Sequence, residues 1–280
     1  MKTRKQPILP FLYKMVAAML GLVAMFIVSL VFGAAEIEVK DVWAALTSGG
    51  DIESRSIIQE IRLPREVAAM VVGSALAVAG AIMQGMTRNP LADPGLLGLT
   101  AGANAMLAVA LAFLPSANYF VMMVFCFLGA AIGATVVFGI GAMKKGGFSP
   151  FRIVLAGAAV AAILTAIAGG IGIYFKLSKE VSMWTAGGLI GTNWNQLQII
   201  VPFILAGLVL ALLFSKQLTV LSLNEEVAIG LGQNTKAIKP LLFIVVILLA
   251  GAAVALVGNM AFIGLMVPHI VRAFVGTDYR

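Results

Sequence analysis

The segment Thr87–Gly98, "TRNPLADPGLLG", interrupts the chain between two long apolar runs. It contains Arg88, Asp93 and two prolines, residues that suit neither a continuous helix nor a lipid surface. Irregular backbone at membrane depth is tolerated only where it is buried in protein or faces a water-filled path. Composition alone predicts a turn on the inner side of the membrane, between two spans. The sequence on either side of the turn indicates the kind of protein that contains it.

The overall composition predicts a membrane protein. Of the 280 residues, 61% are hydrophobic and 11% charged, and the mean hydropathy is +1.05. A soluble domain has about 45–50% apolar and about 25% charged residues. We interpret the net charge of +7 as a topology signal and expect no nucleic-acid partner. The one cysteine, Cys126, and the one histidine, His269, predict no metal site.

Eight apolar segments predict membrane spans, since about 20 apolar residues cross the hydrocarbon layer. The last run, Pro240–Val275, would be about 54 Å long as one helix, so we divide it near Gly258–Asn259 into two spans. The first span is too long for a signal peptide, whose apolar core has roughly 7–15 residues. The six spans before the divided run are Leu9–Ala35, Val67–Met86, Leu96–Leu114, Tyr119–Met143, Ile153–Phe175 and Gln198–Phe214.

The basic residues fix the direction of these spans. With a cytoplasmic N-terminus, most lysines and arginines fall inside, which is the bias expected of a bacterial membrane protein. The C-terminus is then cytoplasmic as well. The outside segments hold only Lys40, Arg55, Arg62, Arg65, Lys176 and Lys179.

Three connections are longer than turns. One is the outside segment "KLSKEVSMWTAGGLIGTNWNQ" between the fifth and sixth spans, whose two tryptophans are typical of the membrane boundary. The first external segment, 36–66, includes "KDVWAALTSGG", which predicts a short surface helix closed by glycine. In the inside loop 215–239, Asn224 can cap a helix whose first turn carries Glu225 and Glu226, and a second helix start follows at Asn234. This loop fits either an ordinary interfacial helix or a docking surface for a cytoplasmic partner.

The sequence contains no motif through which the chain could itself use ATP or an ion gradient as an energy source. There is no G-x-x-x-x-G-K-[ST] phosphate loop, so we predict no ATPase site and no enzyme activity in this chain. Ionisable residues inside the spans are few, which disfavours a proton- or sodium-driven carrier, although carriers can bind sodium with backbone carbonyls. The pattern indicates that energy comes from another chain.

Three stretches resemble the FecCD-type permeases of ATP-binding-cassette (ABC) importers for iron-siderophores, haem and cobalamin. They are "IRLPREVAAMVVGSALAVAGAIMQGMTRNPLADPGLLGLTAGA" (Ile61–Ala103), "LNEEVAIGLGQNT" (Leu223–Thr235) and "MAFIGLMVPHIVRAFVGTDYR" (Met260–Arg280). The resemblance implies an all-α polytopic permease of the type II importer fold in the bacterial cytoplasmic membrane, with residues 1–280 as a single domain. The family has ten spans, so a chain with eight would be incomplete at its C-terminus.

The same resemblance implies the partners. A second permease chain would complete the pore, as a homodimer or a heterodimer. A cytoplasmic ABC ATPase dimer would hydrolyse ATP, and a substrate-binding protein or lipoprotein would dock outside. The permease itself would bind no cofactor directly.

Site residues follow from the resemblance by position. Arg62 and Arg65 match arginines that pair with glutamates of the binding protein, although basic residues at a helix end can also be simple interfacial anchors. Asn89 and Leu91 match one cytoplasmic gate, and a second gate falls at Pro150–Phe151. The segment that would couple to the ATPase comprises Glu225, Glu226, Ala228, Gly230, Leu231 and Gly232.

The function expected from the sequence is import of an iron-siderophore or related iron chelate, driven by a separate ATPase. Pro150 and Phe151 are bulkier than the small hydroxyl residues expected of a cobalamin importer. Two alternatives remain open: a secondary carrier that works without an ATPase, and a truncated permease fragment that does not transport.

The predicted topology can be tested by cysteine labelling. A membrane-impermeant maleimide added to intact cells is expected to label a cysteine at Ser48 and to label one at Gly146 only after the cells are opened. Because Cys126 lies in an apolar run, the parent chain should give little background. The reverse labelling pattern would overturn the cytoplasmic N-terminus.

Overall fold

The computed structural model describes residues 8–32, 39–47, 55–95, 98–142 and 150–279, and all regular structure in them is helical. A π-helical turn, Ile57–Arg62, leads directly into the third helix. The all-α prediction is therefore confirmed. In chain order the helices are α1 (Ile8–Val31), α2 (Val39–Leu46), α3 (Leu63–Thr87), α4 (Leu99–Phe113), α5 (Tyr119–Ala142), α6 (Pro150–Tyr174), α7 (Ser178–Ala186), α8 (Trp194–Leu213), α9 (Ser215–Leu223), α10 (Glu225–Gly230), α11 (Thr235–Val257) and α12 (Ile263–Val275).

Six helical segments in the described residues are long and apolar enough to cross a membrane: α1, α3 with its π-helical turn, α5, α6, α8 and α11. The other two predicted spans correspond to the shorter helices α4 and α12, so a count of eight full spans is not confirmed. The division of the last apolar run is confirmed, because α11 ends at Val257 and α12 begins at Ile263.

The two short helices both begin after irregular backbone. Gly98 precedes α4 with a φ of 75°, and Phe262 precedes α12 with a φ of 68°. Arg88, which ends α3, has a φ of 51°. Left-handed backbone cannot continue a right-handed helix, so these residues fix where the helices stop and start.

Helix α11 forms the centre of the bundle and packs against α3, α4, α5 and α8. Its apolar side chains are buried almost without interruption from Leu249 to Val257. Helix α1 lies at the periphery, with most of its described side chains exposed. An apolar exposed surface of this kind suits lipid rather than water.

The first external segment contains the predicted short helix, which is α2. Val42 and Ala45 of α2 pack with Leu30 of α1 and Ile58 of the π-helical turn in a small separate core. The end of the predicted segment, from Ile57 on, is helical and continuous with α3. The labelling positions Ser48 and Gly146 lie outside the described residues.

Glycines allow α4 and α5 to touch backbone to backbone. A Cβ atom at Gly129 would clash with the carbonyl of Gly102, and one at Gly133 would clash with the carbonyl of Gly98. The motif Gly129-x-x-x-Gly133 therefore makes a contact within the chain. The chain has a second pair with this spacing, Gly187 and Gly191: Gly187 lies against the backbone of Asn259, whereas a Cβ at Gly191 would meet nothing within 4 Å.

The backbone contact between α4 and α5 predicts how one added methyl group changes the stability of the protein. Gly129→Ala is expected to destabilise the protein by about 1–3 kcal/mol, because a rigid backbone must move to make room. Gly139→Ala, on the same helix, is the matched control, since a Cβ there meets nothing within 4 Å. Thermal unfolding in detergent should show a lower midpoint for the first variant alone, and equal midpoints would contradict the described packing.

Candidate gate and coupling site

The segment Thr87–Gly98 turns back into the bundle rather than staying at its surface. A Cβ at Gly264 would lie 2.9 Å from Pro94 Cδ, 3.1 Å from Asp93 Oδ2 and 3.1 Å from the carbonyl oxygen of Leu76. Leu76 lies eleven residues before the end of α3, which is about 16 Å along the helix axis. The chain therefore leaves α3 at its end and returns beside the middle of the same helix.

The re-entrant segment satisfies part of its backbone with its own side chains. Asn89 Oδ1 accepts a hydrogen bond from the Leu91 amide at 3.0 Å, and the Asn89 carbonyl accepts one from Ala92 at 3.1 Å. Asp93 Oδ1 accepts one from the Gly95 amide at 2.7 Å. These Asx-type turns hold the local conformation of the loop.

The predicted gate residues lie at the start of this segment. Leu91 is exposed and Asn89 is half-buried. The second predicted gate, Pro150–Phe151, opens helix α6, and the side chains of both residues lie outside the described part of the chain. A gating role for the four residues stays a prediction.

The inside loop 215–239 contains one helix more than the sequence predicted. Asn224 caps α10 as expected, accepting a hydrogen bond from the Glu226 amide at 3.2 Å. Asn234 caps α11, accepting one from the Ala237 amide at 3.2 Å. The cap at Asn234 starts α11 five residues before the apolar run at Pro240. Helix α9, which precedes Asn224, was not predicted.

The predicted coupling residues do not share one environment. Ala228 is fully buried, so its methyl group faces the protein. The side chain of Glu225 lies outside the described residues. Three apolar side chains of the loop, Val227, Ile229 and Leu231, are exposed on a segment that is otherwise polar. The remaining exposed members of the predicted set are Glu226, Gly230 and Gly232, the last with a φ of 81°.

A hydrogen bond joins the inside loop 215–239, which we term the coupling loop, to the re-entrant segment. Arg88 Nη1 donates to Asn224 Oδ1 at 3.2 Å, so one amide oxygen serves both as the helix cap and as the partner of the arginine. The two residues are far apart in sequence, and no local pattern could have paired them.

The two external arginines have different surroundings. Arg62 is half-buried and donates through Nη1 to the carbonyls of Leu30, in a short contact, and of Val31 at 3.0 Å. It thereby binds carbonyl groups at the end of α1, which lack helical partners. Arg65 is exposed, one turn further along α3.

Comparison with known proteins places the chain in a family. Residues 21–280 match the FecCD transport family. The chain belongs to this family. It is 44% identical over 253 residues to the iron(3+)-hydroxamate import system permease protein FhuB of Bacillus subtilis, a match that covers 90% of this chain and 66% of that protein. It is 37% identical to the ferric enterobactin transport system permease protein FepD of Escherichia coli, covering 90% of this chain and 76% of the relative.

The hemin transport system permease protein HmuU of Yersinia pestis is 36% identical, over 94% of this chain and 80% of that protein. A solved structure is described as an inward-facing conformation of an ABC transporter assigned to the metal-chelate type. It superposes with a TM-score of 0.79 at 25% identity, covering 94% of this chain and 82% of that one. The chain thus has the permease fold of ABC importers and is a multi-pass protein of the cytoplasmic membrane.

The described residues bring together no cluster of side chains that could hold a metal ion. No group of three or more histidine, cysteine, aspartate or glutamate side chains comes together there. What the fold brings together instead is a rigid re-entrant loop and a capped surface segment. Such a pair can transmit a displacement from one to the other.

Proposed function

We propose that the chain is the transmembrane permease subunit of an ABC importer that moves an iron-siderophore or related iron chelate into the cell. Similarity over most of the chain to permeases named for hydroxamate, enterobactin and hemin transport carries this proposal. A separate ATPase dimer supplies the energy, and a second permease chain completes the pore. The chain itself hydrolyses no ATP.

The re-entrant segment is the inner constriction of the pathway in this proposal. Its position beside Leu76 and Gly264 puts irregular backbone inside the bundle, where it must be buried in protein or face water. Asn89 and Leu91 form the inner end of that segment, and Pro150–Phe151 contribute the second side of the gate. Movement of these residues opens the pathway to the cytoplasm by alternating access.

The exposed side chains of Val227, Ile229 and Leu231 contribute to the contact with the ATPase. They lie between the polar cap at Asn224 and the polar residues Gln233 and Asn234. Exposed apolar side chains ringed by polar residues mark a protein–protein contact. Glu226, at the positive end of α10, adds a negative rim.

An external binding protein docks on basic residues at the outer end of α3. Arg65 is free to meet an acidic partner because its side chain is exposed. Arg62 already binds the end of α1, and it therefore holds the docking surface in place as well as adding charge. Charges of this kind act mainly on the rate and specificity of association.

The ATPase contact can be tested by co-purification. Ile229→Asp is expected to reduce recovery of the ATPase with the permease by roughly tenfold or more, since a carboxylate would be buried without a partner. Ile190→Asp is the matched control, because Ile190 is 88% exposed and lies in a predicted outside turn. Iron-chelate uptake by reconstituted vesicles should also require ATP and the ATPase. Uptake that persists without an ATPase would show a secondary carrier instead.

Docking of the binding protein can be tested by charge reversal. Arg65→Glu is expected to weaken binding by roughly five- to tenfold at low salt and less at high salt, with the melting midpoint unchanged. Arg62→Glu should also lower the melting midpoint, since it removes the contacts with α1. Lys179→Glu, an exposed charge on α7, is the control. If Arg65→Glu leaves binding unchanged, the residue is only an interfacial anchor.

A further inference from the structure

A set of polar side chains joins three helices at the cytoplasmic end of the bundle. Gln84 of α3 is only 3% exposed, and its Nε2 donates to the carbonyls of Gly264 and Leu265, each at 3.3 Å. Its Oε1 accepts a short hydrogen bond from Arg272 Nη2. Gln84 and Arg272 thus bind α3 to both ends of α12.

The hydrogen bonds continue from Arg272 to the coupling loop. Arg272 Nη1 donates to the hydroxyl of Tyr279 at 3.3 Å, and the Tyr279 amide donates to Thr219 Oγ1 at 3.2 Å. Thr219 lies on α9, and its own hydroxyl has the Ser215 carbonyl at 3.1 Å and Asp278 Oδ1 at 3.0 Å as acceptors. A continuous polar connection therefore runs from α3, through α12, to α9.

Close packing accompanies this connection. Leu218 of α9 is 3% exposed and lies against Gly85, where a Cβ would come within 2.7 Å of Leu218 Cδ1 and 3.2 Å of the Tyr279 ring. A larger residue at position 85 would require the Leu218 side chain or the Tyr279 ring to move. The absence of a side chain lets the two helices touch.

A second connection lies next to the first. The hydrogen bond from Arg88 to Asn224 joins the residue that ends α3 to the residue that caps α10. Gln84, Gly85 and Arg88 occupy the last turn of α3 and the residue after it, so this short stretch contacts α12, α9 and the cap of α10. Asn89, the first predicted gate residue, follows immediately.

We propose that Arg272 is a positioning residue that fixes the coupling loop to the end of α3, so that α9, α10 and the re-entrant segment move as one body. This inference rests on the proposed transport function. A displacement of α10 by the ATPase then reaches Asn89 and Leu91 without any intermediate flexible segment. The polar cluster of Gln84, Arg272 and Tyr279 connects these elements mechanically. Its loss would uncouple ATP hydrolysis from transport.

A disulfide tests whether the two elements move together. Gly85→Cys and Leu218→Cys are combined with Cys126→Ala, so that the larger residue at position 85 is offset by a smaller one at 218. In vesicles with the ATPase and binding protein, the oxidised form is expected to retain most of the ATP-driven uptake of the reduced form. Loss of uptake on oxidation, restored by a reductant, would show that α3 and α9 must separate and would overturn the proposal.

The ratio of uptake to ATP hydrolysis tests the role of Arg272. Arg272→Gln is expected to lower this ratio by roughly 2- to 30-fold, the range for residues that carry coupling. Tyr279→Phe removes the hydroxyl that accepts from Arg272, with little change of shape, and it is also expected to lower the ratio of uptake to ATP hydrolysis. This variant provides the test if the Arg272→Gln protein does not assemble with its partners. Lys179→Gln, an exposed charge on α7 outside the coupling loop, is the control.

A purely structural role gives a different result. Uptake and ATP hydrolysis would then fall together, in proportion to the amount of assembled complex, and the ratio would stay constant in both variants. A constant ratio would overturn the proposal. This test does not depend on the disulfide experiment, so it decides the question even if the reduced double-cysteine protein does not transport. Failure of the unmodified complex to take up any iron chelate would instead overturn the proposed function itself.

Discussion

Every backbone amide and carbonyl inside a lipid bilayer needs a hydrogen-bond partner, either in the protein or in a water-filled cavity, and this constraint shapes the structure. Regular helices meet it automatically, but the re-entrant segment after α3 does not. It meets the constraint with side-chain oxygens of Asn89 and Asp93, which accept from amides two residues further on. A loop built in this way is stiff, because its conformation is fixed by its own hydrogen bonds.

The same constraint explains why two helices are short. A segment that enters the bundle as irregular chain leaves less depth for the helix that follows, as for α4 after Gly98 and α12 after Phe262. Both of these helices need close approach of backbones, which glycine permits at positions 102, 129 and 264. Helix α11 occupies the centre of the bundle, where it packs on the short helix α4 and on the long helices α3, α5 and α8.

Much of the fold could be predicted from the sequence, because its signals are local. The caps at Asn224 and Asn234 and the break at Gly258 each depend on neighbouring residues. The length of α4 could not be predicted, because hydropathy does not distinguish a residue facing lipid from one facing a neighbouring helix. The contacts of Arg62 with the end of α1 and of Arg88 with Asn224 join distant parts of the chain, and no spacing rule identifies them.

In the proposed transport cycle, the connection between the coupling loop and α3 must transmit enough free energy to move the gate. Shifting a gate from 1:99 to 99:1 requires about 5.5 kcal/mol, whereas one intramolecular hydrogen bond contributes only about 0.5–1.5 kcal/mol. The Arg88–Asn224 bond alone would break before the gate moved. The contact of Leu218 with Gly85 adds resistance to compression, since close-packed atoms cannot interpenetrate. In the proposed mechanism, packing therefore transmits the push of the ATPase, and the polar cluster around Arg272 keeps the packed surfaces in register when the push is reversed.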